Sequence, residues 1–146
     1  MTSATTVVPL PPVRPPIATG AGLTHRGRVR ERNEDAILTD PSGMLWAVAD
    51  GMGGHGHGDV AADIVIDCLE TIADDESPAE ALLSRLTEAN RLVRERAALS
   101  GAEGMGSTVV AVMVVRAMAW VAWVGDARAY LVRGGRLRLL TRDHTL

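Results

Sequence analysis

The residues best suited to chemistry directly follow an apolar run in the middle of the chain. Residues 45–49 read Leu-Trp-Ala-Val-Ala, which predicts a strand that is apolar on both faces and buried, and Asp50 follows it. An unpaired charge on a buried strand is costly, so the carboxylate of Asp50 needs a partner. Hard divalent cations take oxygen ligands from carboxylates and from backbone carbonyls. Gly51 lets the backbone approach closely enough to offer its carbonyl, so the segment predicts a metal site.

Two other interpretations of this segment remain open. Gly51, Gly53 and Gly56 match the G-x-G-x-x-G pattern of dinucleotide-binding folds. That pattern would point the charge of Asp50 at a pyrophosphate, and it needs an acidic residue at the end of a second strand. The nearest candidate, Glu70, lies on a predicted helix. The third interpretation is a flexible turn that caps the helix after it.

Composition limits the class of protein. The chain has 146 residues, 47% of them hydrophobic and 23% charged, which is typical of one globular domain. A net charge of -3 and the lack of a basic block argue against nucleic-acid binding. The one cysteine, Cys68, cannot form a disulfide within the chain, which favours a reducing cytoplasm. Its place on the apolar side of a predicted helix indicates a core residue.

The apolar stretch from 109 to 124 is the one segment that resembles a membrane span. Arg116 interrupts it near the middle, where a charge is costly in lipid. The valine-rich halves are better explained as two buried strands joined by a tight turn at Arg116 and Ala117. We therefore expect no membrane association.

The order of predicted elements favours an α+β fold. Most of the seven prolines lie in residues 1–22, which predicts an extended or disordered tail. Two consecutive helices separate two groups of strands, and Gly134-Gly135 predicts a hairpin turn. A serine at 77, a proline at 78 and a glutamate at 80 form the sequence signature of a capping box. The predicted strands are 23–29, 35–39, 45–49, 107–115, 119–124, 129–133 and 137–140, and the predicted helices are 59–73 and 77–101.

Four polar segments lie beside these apolar elements, at the ends of predicted strands. They are residues 30–35, 50–51, 106–108 and 124–128. Because strand ends can meet at one edge of a sheet, we expect these segments to converge on one site.

In this order the segments resemble the metal-dependent serine/threonine protein phosphatases of type 2C, the PPM family, in its bacterial form. The matching sequences are RVRERNED at 28–35, AVADGMGGHGHGDVAA at 47–62, GMGSTVVAV at 104–112 and WVGDARAYLVRGGRLRLLTRDHTL at 123–146. The resemblance implies that residues 23–146 form the N-terminal portion of a four-layer αββα sandwich.

The resemblance also implies a metal site. Asp50 would bridge two Mn²⁺ or Mg²⁺ ions, and the carbonyl of Gly51 would bind one of them. Asp126 corresponds to a residue that contacts a third, weaker metal ion. Glu34 and Asp35 would lie at or behind the site and hold metal-bound waters.

The implied reaction is hydrolysis of phosphoserine and phosphothreonine on proteins by a metal-bound hydroxide, with Arg30 and Asp50 as the catalytic residues. Arg30 would bind the substrate phosphate, because a guanidinium group suits phosphate oxygens. Such enzymes commonly oppose a serine/threonine kinase. Without the resemblance, Arg30 is better explained as one exposed charge among several arginines, and Asp126 is equally an ordinary turn residue or a metal ligand.

Two departures from the family pattern matter. Met52 stands where some relatives carry a histidine proposed to protonate the leaving group, so the general acid is unassigned. The family's later aspartates, in an Asp-Gly and an Asp-Asn segment, do not occur before Leu146. The second interpretation is therefore a truncated, catalytically silent fragment that binds phosphate, metal or a partner protein. His55 and His57 are expected to be loop residues, and His144 to position a loop by hydrogen bonding.

Overall fold

A four-stranded antiparallel sheet with two helices against it forms the body of the protein. The computed structural model describes residues 18–53 and 56–144. The sheet has the order β1-β2-β3-β4, and β5 and β6 form a separate hairpin. This arrangement confirms the predicted α+β fold. The elements are β1 Asp35–Thr39, β2 Leu45–Met52, α1 Gly58–Glu70, α2 Pro78–Ser100, β3 Gly106–Val115, β4 Met118–Val124, β5 Tyr130–Arg133 and β6 Arg136–Leu139.

Both predicted two-residue turns are present. Arg116 and Ala117 join β3 to β4 with φ of 51° and 65°, and Gly134 and Gly135 join β5 to β6 with φ of 55° and 71°. Positive φ at both central positions gives a turn whose twist matches that of the strands it connects. The stretch 109–124 is therefore two paired strands. Within the part of the chain that the structure describes, no helix is long and apolar enough to cross a membrane.

The core lies between the sheet and the two helices. Small side chains on the inner face of the sheet, among them Ala49 and Ala111, are fully buried and allow the helices to approach closely. Leu69 of α1 and Met113 of β3 are the largest fully buried side chains. Cys68 belongs to the same core, as predicted, and its burial raises the pKa of the thiol.

The outer face of the sheet is only partly covered, and here the prediction for β2 was wrong. Val48 is 46% exposed, whereas residues 45–49 were expected to be buried on both faces. The backbone at Gly20 crosses the indole of Trp46, and residues 21–23 and 128–130 border a groove of about 390 Å³ over this face. Strand β2 carries apolar side chains on both faces because both faces contact apolar residues. Few of the described residues cover its outer face, so Val48 remains exposed.

The β5–β6 hairpin has one apolar and one basic face. Its register pairs Tyr130 with Leu139 and Val132 with Leu137, so these four side chains share one face. The half-buried Leu131 and the arginines at 133, 136 and 138 lie on the opposite face. Val132 is 70% exposed and Leu137 is 67% exposed, so the apolar face is largely in solvent.

Three local predictions need correction. Residues 23–29 form no strand: Leu23 and Val29 are each 92% exposed, and Gly27, at φ 74°, lies in a turn that interrupts the extended backbone. Helix α1 ends at Glu70, three residues earlier than predicted. Ser77 occupies the N-cap of α2 but its side chain makes no capping hydrogen bond. Pro78 at the start of α2 and Gly101 after its end agree with the prediction. Residues 1–17 of the predicted tail lie outside the described residues.

Candidate metal and phosphate site

Three neighbouring strands place polar side chains in one row across the sheet. Asp35 of β1 lies opposite Asp50 of β2, and Asp50 lies opposite Thr108 of β3. Directly opposite residues of antiparallel strands point to the same face, with Cβ atoms about 5 Å apart. The row therefore lies on the outer face of the sheet, away from the helices.

Asp50 lies inside β2 and not at its end. The strand continues to Met52, because Gly51 pairs with Ser107 and Met52 with Gly106. The hydroxyl of Ser107 lies 3.2 Å from the carbonyl oxygen of Asp50. The backbone that carries Asp50 is therefore fixed by the ladder, while its side chain is partly buried and still reaches solvent.

Gly51 is the point where three backbone segments meet. Its N–H donates to the carbonyl of Glu34 at 2.9 Å. A Cβ atom at position 51 would lie 1.9 Å from the carbonyl oxygen of Gly58 and 2.7 Å from that of Glu34. Gly58 is the first residue of α1, and a Cβ there would in turn lie 2.8 Å from the carbonyl oxygen of Gly51. Only glycine fits at 51, so strand and helix touch with no side chain between them.

The carboxyl group of Glu34 lies at the start of α1. Its Cδ atom would be 2.9 Å from a Cβ atom at Gly58. The positive end of a helix dipole stabilises an anion at this position. The carbonyl oxygen of Gly51 would lie 2.8 Å from the same Cβ atom, so the Glu34 carboxyl group and the Gly51 carbonyl are neighbours at the start of α1.

The predicted carboxylates lie close enough to Asp50 to repel its negative charge. Partial burial raises the pKa of Asp50, and the negative charges of Asp35, Asp126 and Glu34 raise it further. Asp126 reaches this region from the turn after β4. The crowding of like charges on one row is the arrangement that a cation would relieve.

Replacing Asp50 by asparagine is expected to relieve this crowding in the metal-free protein. Because the pKa of Asp50 is raised in the fold, the penalty is absent below the ordinary value of 3.8, grows between that value and the raised folded pKa, and is fully present above it. We expect Asp50→Asn to be more stable than the parent at pH 7 by about 0.5 kcal/mol, with a smaller difference at pH 4. Thermal unfolding in EDTA, followed by circular dichroism, measures this difference, and a pH-independent gap would contradict it.

The chemistry of the oxygen ligands at Asp50 and Gly51 suits a hard cation, but these ligands are too few to complete a coordination sphere. Carboxylate and backbone carbonyl oxygens are the ligands that Mg²⁺ and similar ions prefer. Within residues 18–53 and 56–144, however, no three His, Cys, Asp or Glu side chains are close enough together to hold one metal ion. Asp50 and Gly51 therefore fit one part of a coordination sphere.

A second feature adjoins these carboxylates. Arg30, Arg32 and Glu34 line a cleft of about 370 Å³, together with Glu31 and Gly56. Arg32 lies 3.9 Å from the carboxylate of Asp59, a distant ion pair. Arg30 and Glu34 thus share one cleft, with a guanidinium group available for an anion.

The turn that carries Asp126 is tied to the end of the described chain. The N–H of His144 donates to the carbonyl of Gly125 at 2.9 Å, and the imidazole stacks on Trp123 with a centroid distance of 5.9 Å and an interplanar angle of 24°. Arg128 donates two hydrogen bonds to Asp143, at 2.9 and 2.6 Å. The N–H of Gly125 also lies 3.4 Å from Nδ1 of His144, which agrees with the prediction that His144 positions a loop by hydrogen bonding. His55 lies outside the described residues, and His57 takes the N-cap position of α1.

Thr108 is the residue whose importance the sequence did not reveal. Its segment was singled out, but only the strand register places it opposite Asp50. Its hydroxyl is buried and has no hydrogen-bond partner among the described residues. A small polar residue that opens a valine-rich strand was the one available signal.

Comparison with known proteins decides the family. Residues 21–145 match the family model for protein phosphatase 2C. The chain belongs to the protein phosphatase 2C family. This chain is 38% identical over 130 residues to the serine/threonine protein phosphatase PstP of Mycobacterium tuberculosis, covering 86% of this chain and 25% of PstP. It is 37% identical over 134 residues to the serine/threonine phosphatase stp of Listeria welshimeri, covering 84% of this chain and 53% of that protein.

Solved structures agree. The catalytic domain of PstP in complex with two manganese ions has a TM-score of 0.78 and 35% identity, with coverage of 84% of this chain and 54% of that chain. PppA, a regulatory component of the T6SS in Pseudomonas aeruginosa, has a TM-score of 0.77 and 44% identity with the same coverage. The chain thus spans about half the length of the Listeria relative and of the PstP catalytic domain, and a quarter of full-length PstP.

Proposed function

We propose that this chain carries the N-terminal part of the active site of a metal-dependent phosphatase for phosphoserine and phosphothreonine on proteins. The observation that supports this proposal is the acidic row of Asp35 and Asp50, joined by Glu34 and Asp126, beside the cleft lined by Arg30. Family membership supports the reaction class. Residues 23–146 would form the phosphatase part and residues 1–22 an N-terminal tail.

Asp50 and Gly51 would hold the cation, through one carboxylate and one carbonyl oxygen, with Asp126 as a further contact. Glu34 and Asp35 would orient its water ligands. Bound Mn²⁺ or Mg²⁺ supplies an activated water and offsets negative charge on the reacting phosphate. The backbone at Gly51 is held by its hydrogen bond to Glu34 and its close contact with Gly58, so its carbonyl is in place before a cation binds.

Arg30 would bind the substrate phosphate. The guanidinium group donates two parallel hydrogen bonds to phosphate oxygens, which fixes the orientation of the substrate. The cleft that it shares with Glu34 lies next to the start of α1, where backbone N–H groups favour anions. The substrates would be phosphoproteins made by an opposing serine/threonine kinase in the cytoplasm.

A second candidate function is binding without turnover. It is favoured by the lack, within the described residues, of any three side chains that could hold a metal ion together. Such a chain would bind phosphate, metal or a partner protein and leave phosphoesters intact.

The test is hydrolysis of p-nitrophenyl phosphate by the purified chain with Mn²⁺, with EDTA and with Asp50→Ala. We expect hydrolysis that requires Mn²⁺ and that is lost in Asp50→Ala. Asp63→Ala is the matched control, because Asp63 is an exposed carboxylate on α1 away from the row. Binding of Mn²⁺ without hydrolysis would support the second candidate. Neither Mn²⁺ binding nor hydrolysis would contradict the first candidate, and the second would then be limited to binding of phosphate or a partner protein.

A further inference from the structure

We propose that Thr108 is a positioning residue whose hydroxyl holds the Asp50 carboxylate in its metal-binding orientation, a role that rests on the proposed function above. Thr108 is not offered as a metal ligand. It acts on the cation through Asp50, from the neighbouring strand.

The strand register brings the two side chains together. Asp50 and Thr108 are direct partners in the β2–β3 ladder, so both point to the outer face of the sheet. The hydroxyl of Ser107 lies 3.2 Å from the carbonyl oxygen of Asp50 and 2.8 Å from that of Thr108. The backbones of both residues are therefore held next to each other, and only their side chains need to adjust.

The hydroxyl of Thr108 has no function within the fold itself. Its Oγ1 atom is buried and unpartnered among the described residues. An unpaired buried hydroxyl is destabilising, whereas an apolar group of the same shape would remove that penalty. The next residues of β3, Val109 to Val112, are all valine or alanine, so valine would suit this position. A donor kept there at a cost in stability indicates a partner in the metal-loaded state, and the one carboxylate opposite it in the ladder is Asp50.

The methyl group of Thr108 makes a second, separate contact. Gly125 has φ 88°, and a Cβ atom there would lie 2.7 Å from Cγ2 of Thr108. The turn that carries Asp126 therefore rests on the methyl group, while the hydroxyl is left for Asp50. Valine at 108 keeps the methyl contact and removes the donor, and serine keeps the donor and removes the methyl contact.

The test compares Thr108→Val, Thr108→Ser and the parent chain by two measurements. The first is the melting temperature in EDTA, and the second is the Kd for Mn²⁺ from electron paramagnetic resonance of the free ion. We expect Thr108→Val to melt at the same or a higher temperature than the parent without metal. We expect it to bind Mn²⁺ about tenfold more weakly, as is typical when a group that orients a ligand is lost. Thr108→Ser should bind within about twofold of the parent.

Several outcomes would overturn the role. An unchanged Kd in Thr108→Val would show that the hydroxyl does not act on the site. A lower melting temperature of Thr108→Val in EDTA would show that the hydroxyl already has a partner in the metal-free fold. Equal weakening in the valine and serine variants would assign the effect to packing. A parent chain that binds no Mn²⁺ would contradict the proposed function itself, and this role would fall with it.

Discussion

Alanine at position 51 is expected to destabilise the fold by about 3 kcal/mol or more. The new Cβ atom would lie 1.9 Å from the carbonyl oxygen of Gly58 and 2.7 Å from that of Glu34. Both are backbone atoms, so neither can move aside as the end of a flexible side chain could. Relief of the clash requires α1 to move away from β2, which opens the buried core behind Ala49 and Leu69.

Urea unfolding followed by circular dichroism measures this loss, and Gly53→Ala is the matched control. The nearest atoms to a Cβ at Gly53 are 3.4 Å away, an ordinary contact distance. We expect the control to remain within about 1 kcal/mol of the parent. Equal stability of the two variants would contradict the three-segment contact at Gly51. A folded Gly51→Ala chain should also lose Mn²⁺ binding, because the carbonyl would be displaced with the strand.

Replacement of Arg30 by alanine is expected to reduce kcat/KM for p-nitrophenyl phosphate about thirtyfold. A charge-assisted hydrogen-bonding group contributes about 2 kcal/mol, and each 1.4 kcal/mol corresponds to about a tenfold change in rate. Arg30 is exposed and does not belong to the hydrophobic core, so its replacement should leave folding unaffected. We also expect the Kd for inorganic phosphate, measured by calorimetry, to rise by a similar factor.

Arg28→Ala provides the control for charge. Arg28 is also exposed and lies two residues away, but it does not line the cleft that contains Arg30 and Glu34. We expect it to change kcat/KM less than about threefold at physiological salt, because an exposed charge outside the cleft is screened. Similar losses in both variants would mean that general positive charge, and not a specific phosphate contact, attracts the substrate.

The sequence predicted the elements where local pattern and local chemistry agree. The bounds of β1 were predicted without error, since a short apolar run at 36–38 is followed directly by the turn residues at 40–43. The turns at Arg116-Ala117 and Gly134-Gly135 were also predicted, because each depends on neighbouring residues alone. Residues 23–29 failed because the segment has apolar residues only at its two ends, with Gly27 between them, and whether another strand pairs with it cannot be read from local sequence.

The site was predictable in its residue types and not in its geometry. The spacing of Asp50 and Gly51 indicated oxygen ligands, and the structure places Glu34, Asp35 and Asp126 around Asp50. The contact between Gly51 and Gly58 could not be predicted, because it depends on how closely a helix packs on a strand. The pairing of Asp50 with Thr108 joins residues far apart in the sequence, and only the ladder register reveals it.

The exposed β5–β6 hairpin has a consequence for how the chain unfolds. A two-stranded hairpin with solvent on its apolar face is marginally stable, so it can open while the four-stranded sheet stays intact. Its amide hydrogens should exchange with solvent by this local opening, and those of β2 and β3 only by global unfolding. The one tyrosine of the chain, Tyr130, lies in the hairpin, whereas all three tryptophans lie in the sheet. Tyrosine and tryptophan signals should therefore report two separate transitions, and the chain does not unfold as a single cooperative unit.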